Sequence, residues 1–441
     1  MDLEGFARRR ILRGSSEKKI VAELADAIKE FKNWNLNKRE EFSKAVYDEV
    51  ATALKYKKLK DKFLKNLIEY PRANVTMGGF GVGSRGMGDF FVHHKLAEII
   101  GKTGAVVDAT QQDDAGVVQV SSRYVTVAID GMHSRLSEFP FLAGFHAARA
   151  ALRDIYVMGS SPVAMISDLH LGDDGDIGKL FDFTAGAATV CELTKTPLVS
   201  GSTLRIGGDM VFGDRLVAAV GAVGASSELP KARKNAEVGD VILMSEGAGG
   251  GTITTIALYS GYSRVIKETL NVDFMLACEK LIRSNLLRHV HAMSDVTNGG
   301  LRGDAKEISE ISGKKLVFHE EILEKTVNKK VLRMLRELDI DHLGISTDSL
   351  MLILPEEYVG KVKKVAKFYE VGYVEKGKGV KILGKREYDF KPLFRESAYT
   401  KIKKVIGEKA PKNAEKMQGC IEKAKSCAIK KKNYVLKFIG G

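Results

Sequence analysis

The chain has 441 residues, of which 44% are hydrophobic and 28% charged, with a formal net charge of +13. This length allows two or three domains with their own cores, and the balance describes a globular protein rather than a disordered or fibrous one. No stretch approaches eighteen consecutive apolar residues, which argues against a helical membrane span, and MDLEGFARRRILRGSSEKK carries charge where a signal peptide needs an apolar block, so a cytoplasmic location is expected.

The charge is unevenly placed. Residues 1–70 carry a net +5 and residues 395–441 a net +9, which leaves 71–394 at −1. The central body is therefore neutral. The basic tail reads as a solvated helix face, with contact to nucleic acid or an acidic partner as the less favoured reading. Cys191, Cys278, Cys420 and Cys427 include no C-x-x-C, which argues against a zinc site and a disulfide framework; Cys420 and Cys427 read as packing residues on a tail helix.

In chain order, residues 16–31 place Ile20, Leu24, Ile28 and Phe31 at helical spacing, and further helices follow over 39–56 and 60–69. Residues 1–70 thus form a helical extension. Strands are expected at 123–130, 162–171, 196–203 and 215–224, with helices over 141–159 and 179–194. The polar stretch 225–238 marks a boundary. A second block starts with a strand at 239–246, a glycine loop at 247–252 and a helix at 253–260. It continues with helices around 273–288, 301–312 and 322–338 and strands at 316–319 and 349–355. The expected organisation is a helical extension (1–70), a glycine loop plus first α+β domain (71–228), a second α+β domain (229–394) and a basic helical tail (395–441).

GVGSRG satisfies G-x-G-x-x-G at Gly81, Gly83 and Gly86, with Asp108 about where a ribose-binding acid would sit. A dinucleotide fingerprint needs a buried strand before its first glycine, and YPRANVTMGGF is a poor one because Pro71 cannot donate to a ladder. A dinucleotide-binding oxidoreductase is therefore disfavoured. No G-K-[ST] follows, so a P-loop fails too.

Carboxylates concentrate at strand ends and glycine turns: Asp113 and Asp114 in QQDDAGVV, Asp130 in VAIDGMH, Asp154 in an apolar helix and Asp295 in MSDVTNGGL. Burying carboxylates is costly unless they are paired or metal-bound, and their number points to a Mg²⁺ cluster serving phosphate chemistry. Each has a plainer alternative. Asp113 or Asp114 could cap a turn, Asp154 could pair with Arg153, and Asp295 could be the N-cap of a helix beginning near Asn298. His93, His94, His133 and His146 are candidate bases, with a structural role the more common fate.

These segments resemble, in order, the motifs of the aminoimidazole ribonucleotide (AIR) synthase superfamily. QQDDAGVV is similar to G-D-D-A-A-V, RDIYVMGSSP to its D-i-x-A-M-G-x-x-P segment, LVSGSTLRIGGD to its G-G-[HD]-[ST] turn, GDVILMSEGAGG to G-D-x-l-x-l-t-x-x-x-G, and SDVTNGGL to D-v-T-d-G-G-L. The resemblance implies a two-domain PurM-like α+β fold, a homodimer pairing its N-terminal sheets into a barrel, and ATP with Mg²⁺ bound in the cleft between domains. It also implies metal and phosphate contacts at Asp113, Asp114, Asp130 and Asp295, nucleotide contacts at Gly81, Gly83, Gly201, Ser202, Thr203, Asn298 and Gly299, and Asp154 nearer the cleft floor.

Within the superfamily, GVGSR can be laid over the G-[C/U]-G-C-K loop of selenophosphate synthetase. Val82 then stands at the nucleophile, Ser84 at the second Cys and Arg85 at the Lys. Valine cannot attack or carry selenium, while Arg85 keeps a phosphate-clamping cation. Asn298 also replaces a common acid. The expectation is a mobile glycine lid over an ATP-dependent phosphotransferase or ligase-like site acting on another small-molecule acceptor. The alternative is a nucleotide-binding scaffold that has lost catalysis.

Overall fold

The computed structural model describes residues 1–56, 60–84, 86–297, 299–384, 387–396 and 399–440. The chain begins with helices α1 (Leu3–Leu12), α2 (Glu17–Ile28) and α3 (Leu36–Lys55), started by the side chains of Asp2, Ser16 and Asn35, which each accept from a backbone N–H of the first turn. Their apolar faces (Leu3, Ile20, Leu24, Ile28, Val46, Val50) close around Phe212. The ion pair from Lys32 to Asp173, at 2.5 Å, fastens the extension to the first domain. Shorter helices follow: α4 (Lys62–Ile68), α5 (Met77–Phe80) and the longer α6 (Met87–Ile100).

The first domain comprises β1 (Gly116–Val120), β2 (Arg123–Gly131), α7 (Pro140–Val157), β3 (Ser161–Leu171), α8 (Gly178–Thr194), β4 (Leu198–Arg205) and β5 (Leu216–Ser226). Its strands are ordered β1-β2-β5-β3-β4, antiparallel except for the parallel β3–β4 pair. Helix α7 crosses α8 at Gly144 and Gly186. A Cβ at Gly144 would stand 2.0 Å from the Phe183 carbonyl oxygen, and one at Gly186 2.1 Å from that of Phe141, so hydrogen is the only side chain that permits this approach. Met165, Leu169, Leu216, Val220 and Ala222 point to the helices' side of the sheet and are buried. Their strand neighbours Val127, Ile129, Ile166 and Val217 stand on the opposite face and are exposed.

The second domain comprises β6 (Val241–Ser245), α9 (Gly251–Ser260), α10 (Ser263–Thr269), α11 (Asp273–Arg283), β7 (Ala292–Asp295), α12 (Gly300–Ser312), β8 (Lys315–His319), α13 (Glu320–Leu323), α14 (Lys329–Glu337), β9 (Leu350–Leu354), α15 (Glu356–Val365), β10 (Phe368–Glu375), β11 (Gly379–Leu383) and β12 (Glu387–Asp389). These strands are ordered β12-β11-β8-β10-β6-β9-β7. The single helix expected over 322–338 is divided, because Asn328 caps a new helix through Lys330 N and Val331 N. Helix α7 is buried along almost its whole length and packs on both sheets, so one hydrophobic core runs through the two domains.

Helices α16 (Lys401–Ile406) and α17 (Ala414–Gly440) end the chain. The tail folds back on its own chain: α17 lies along α6 and α4, with Phe438 stacked on Phe63 at 3.9 Å between ring centroids and Lys425 paired to Glu98 at 2.5 Å. Cys420 on α17 is half-buried, whereas Cys427 is exposed, so the packing role expected of Cys427 does not hold. No described helix is long and apolar enough to cross a membrane.

Candidate functional site

A cavity of about 840 Å³ is lined by both domains and by the tail. Its walls come from the residues before β1, the end of β2, the inner face of α7, the start of α9, the end of β7, α12, the residues before β9, and residues 399–406. Asp113, Asp114, Asp130, Asp154 and Asp295 all line it, as do Gly83, Asp89, Asp304, Glu307 and Asp348. Among the described residues the lining holds nine carboxylates against four lysine or arginine side chains.

Two buried guanidinium groups organise most of this charge. Arg233 donates from Nη2 to Asp114 at 2.6 Å and to Asp304 at 3.3 Å, and from Nη1 to Glu307 at 2.6 Å, while its backbone N–H reaches Asp113 at 2.9 Å. Arg153 donates from Nε to Asp295 at 2.8 Å and from Nη1 to Asp348 at 2.6 Å. Asp154, the next residue on α7, accepts no hydrogen bond from any described residue. Burial, and then the charges of Asp295, Asp130 and Asp114, push its carboxyl well above the usual range. Burial raises Asp113, Asp114 and Asp304 in the same direction. The pocket therefore gathers more carboxyl groups than its own cations pair, and burial disfavours their ionisation unless a further cation is bound.

That surplus is the test of a divalent cation here, and the donor set fits one. No group of three or more His, Cys, Asp or Glu side chains is gathered at metal-holding spacing among the described residues. Magnesium takes one or two carboxylates and completes its shell with phosphate oxygens and water, so a preassembled cage is not required.

Several sequence expectations change in space. Asp295 is not a helix cap: it ends β7, and α12 starts at Gly300 behind Gly299, whose φ is +82°. Arg153 bonds Asp295 and Asp348 rather than Asp154. Gly201, Ser202 and Thr203 are not a turn beside the pocket; they lie inside the exposed edge strand β4, paired with Ser167, Asp168 and Leu169, and do not line the cavity. Gly81 and Gly299 also stand outside the lining. Arg85 and Asn298 lie outside the described residues.

The glycine loop is anchored rather than a free lid. It runs from helix α5 to helix α6 with no strand before it, which removes the dinucleotide reading. Asp89 accepts from Gly83 N at 2.6 Å and Gly86 N at 3.3 Å. Met87 N and Gly88 N donate to the carbonyls of Leu393 and Phe394 at 3.0 and 3.2 Å. A Cβ at Gly86 would meet Leu393 O at 2.6 Å, so glycine here serves close backbone packing. Asp108 is likewise structural: Thr103 and Thr110 donate to it and hold its carboxyl at about 2.

Among the histidines, His93, His133 and His146 line the pocket and His94 does not. Burial holds His146 well below its usual range, and its ring bonds Thr254 at 2.7 Å, which is a structural role. His133 Nε2 meets the Tyr399 hydroxyl at 2.7 Å. Arg153, Arg233, Asp304, Glu307, Asp348, Tyr399 and Lys403 were not anticipated as site residues. Arg233 sits in the polar stretch read as a domain boundary, and no local sequence signal marks it, although Ala232 and Ala236 beside it are buried.

Two α+β halves closing on one acidic pocket define the class. The chain belongs to the AIR synthase related proteins: residues 112–226 match the N-terminal domain of that family and residues 237–385 its C-terminal domain. It is 56% identical over 444 aligned residues, spanning 100% of this chain and 98% of the other, to an uncharacterized protein of Methanocaldococcus jannaschii. It is 31% identical to the selenide, water dikinase of Aeromonas hydrophila over 47% of this chain and 59% of that enzyme. In fold it is similar to the hydrogenase maturation protein HypE in complex with ATP, with a TM-score of 0.53 at 18% identity, covering 69% of this chain and 92% of that one.

Proposed function

We propose that this chain is a Mg²⁺- and ATP-dependent enzyme that transfers a phosphoryl group to a small-molecule acceptor through chemistry other than that of selenophosphate synthetase. The observation that carries the reading is the excess of carboxylates in a cavity shared by both domains. A triphosphate cannot enter such a pocket alone, whereas a triphosphate neutralised by divalent cations matches its charge. Bound Mg²⁺ would screen the charge developing on the transferring phosphoryl oxygens. Asp154 and Asp130, with Asp113, are the carboxylates we assign to the cation. Arg153 and Arg233 hold Asp295 and Asp114 in fixed orientation. Val82 offers no nucleophile to the acceptor. The likeness to a dikinase and to an ATP-bound protein supports the reading.

Titration calorimetry with ATP and Mg²⁺ tests it. Binding is expected, and Asp130→Asn is expected to weaken it by about tenfold or more. Absence of binding in the parent chain would sink the proposal. Binding without ADP or AMP formation across a panel of acceptors would favour the nucleotide-binding scaffold.

We also infer that the exposed face of the first sheet pairs with a second copy. Ile129 is 70% exposed there beside Val127, Ile166 and Val217, an apolar patch that water does not favour. Light scattering is expected to give a dimer mass for the parent chain and a monomer mass for Ile129→Asp. A monomeric parent chain would remove this inference.

A further inference from the structure

We propose that residues 399–406, which lie beyond the matched C-terminal domain ending at 385, build the acceptor side of the pocket. In this assignment Lys403 contacts an anionic group of the acceptor and Tyr399 positions it. The proposal rests on the phosphoryl-transfer reading above and names the substrate class: a small anion with an apolar flank.

Residues on both sides, 393–396 and Tyr399, are built into the molecule. Glu396 accepts from Arg302 Nε at 3.1 Å and from the Leu393 backbone at 2.7 Å. Arg395 donates to the carbonyl oxygens of Gly79 at 2.8 Å and Lys409 at 2.6 Å, which ties it to helix α5 just before the glycine loop. Tyr399 is 3% exposed within the α9–α14 core cluster. Its hydroxyl meets His133 Nε2 at 2.7 Å, and His133 Nδ1 meets Thr255 Oγ1 at 3.1 Å. One chain of hydrogen bonds thus joins the tail, the loop just after Asp130 and helix α9.

Lys403 follows from that anchoring. Thr400 caps α16 by accepting from Lys403 N at 3.2 Å, and the Lys403 ammonium rests 4.6 Å from the centre of the Tyr399 ring. A ring in this position attracts the ammonium and restricts its rotamers. Arg153 and Arg233 bond carboxylates on the pocket floor. Lys403 reaches the cavity from a separate element, beside the aliphatic side chains of Ile402 and Ile406, which stand apart from the carboxylates of the pocket floor. An ammonium flanked by aliphatic surface suits a carboxylate or phosphate on a short carbon skeleton.

The test uses the full chain saturated with Mg²⁺ and a non-hydrolysable ATP analogue, titrated by calorimetry with isobutyrate and, separately, with methyl phosphate. Lys403→Met is expected to weaken at least one probe by about tenfold while analogue affinity stays within about twofold, with Lys403→Arg restoring most of the loss. The arm that responds distinguishes carboxylate from phosphate. An equal loss of analogue affinity would place Lys403 in the nucleotide site and overturn the proposal. So would probe binding that Lys403→Met leaves unchanged, or no probe binding by the parent chain. In the absence of nucleotide, Tyr399→Phe is expected to speed amide hydrogen exchange at Met87 and Gly88; unchanged exchange there removes the positioning role. Failure of the parent chain to bind the analogue instead falls on the phosphoryl-transfer reading, which the exchange measurement does not require.

Discussion

Replacing Arg233 with alanine is expected to destabilise the folded chain by about 3–5 kcal/mol, lowering the midpoint of urea unfolding with little change in its slope. The guanidinium is 3% exposed and bonds Asp114, Asp304 and Glu307 at once. Alanine leaves those carboxylates together in a site that burial already makes hostile to charge. Lysine would restore the charge but not the fork that spans three partners, so Arg233→Lys is expected to recover part of the loss. Replacing Arg233 with Met together with Asp114→Asn, Asp304→Asn and Glu307→Gln should recover more, because none of the three bonded carboxylates is left charged without its cation. The pH dependence follows from direction. Asp114 and Asp304 are raised in the folded chain, so it binds protons that the unfolded chain has released, and stability grows as pH falls through their raised values. The defect of Arg233→Ala should therefore be largest near neutral pH and shrink on mild acidification. A loss below about 1 kcal/mol at neutral pH would mean the three carboxylates find compensation elsewhere.

The order of elements was legible in the sequence where apolar period and length agreed. The helix expected over 141–159 is α7 over 140–157, and the strand expected over 162–171 is β3 over 161–171. The acidic residues singled out in the sequence, Asp113, Asp114, Asp130, Asp154 and Asp295, all line one pocket. What stayed hidden is what no local window contains. Tyr399 meets His133 across 266 residues of sequence, and Arg233 sits in a stretch whose polarity imitates a linker. The strand expected over 196–203 is β4 over 198–205, so the turn that the family resemblance placed at LVSGSTLRIGGD does not fall at Gly201, which parallel pairing with β3 carries through as edge strand. Strand β11 was missed because lysines and glycines over 376–384 interrupt the alternation that marks a half-buried strand, and β10 because a register shift between Glu370 and Gly372 breaks it. The family resemblance supplied the domain pairing; it could not supply the tail's place in the pocket, because the matched domains end before it.

Asp154→Asn should separate stability from function in a way few other substitutions in this pocket can. Asp154 accepts no hydrogen bond from a described residue and faces the charges of Asp295, Asp130 and Asp114. In the absence of a cation its ionised form works against the fold. The amide keeps the shape and removes that charge, so the variant is expected to be more stable than the parent by roughly 1 kcal/mol at neutral pH without divalent metal. The sign follows from the raised carboxyl: the parent's penalty is present above that raised value and disappears as protonation is completed below it, so the advantage of asparagine should fade on acidification. Adding Mg²⁺ with ATP should reverse the order, because ligand binding to the folded parent stabilises it in proportion to affinity while the variant has lost a cation-facing oxygen. Thermal melts of both proteins, with and without Mg²⁺–ATP at two pH values, read all three effects. If Asp154→Asn is less stable than the parent without metal, the carboxylate is serving the fold instead. Its role in cation binding would then have to be carried by Asp130 and Asp113 alone.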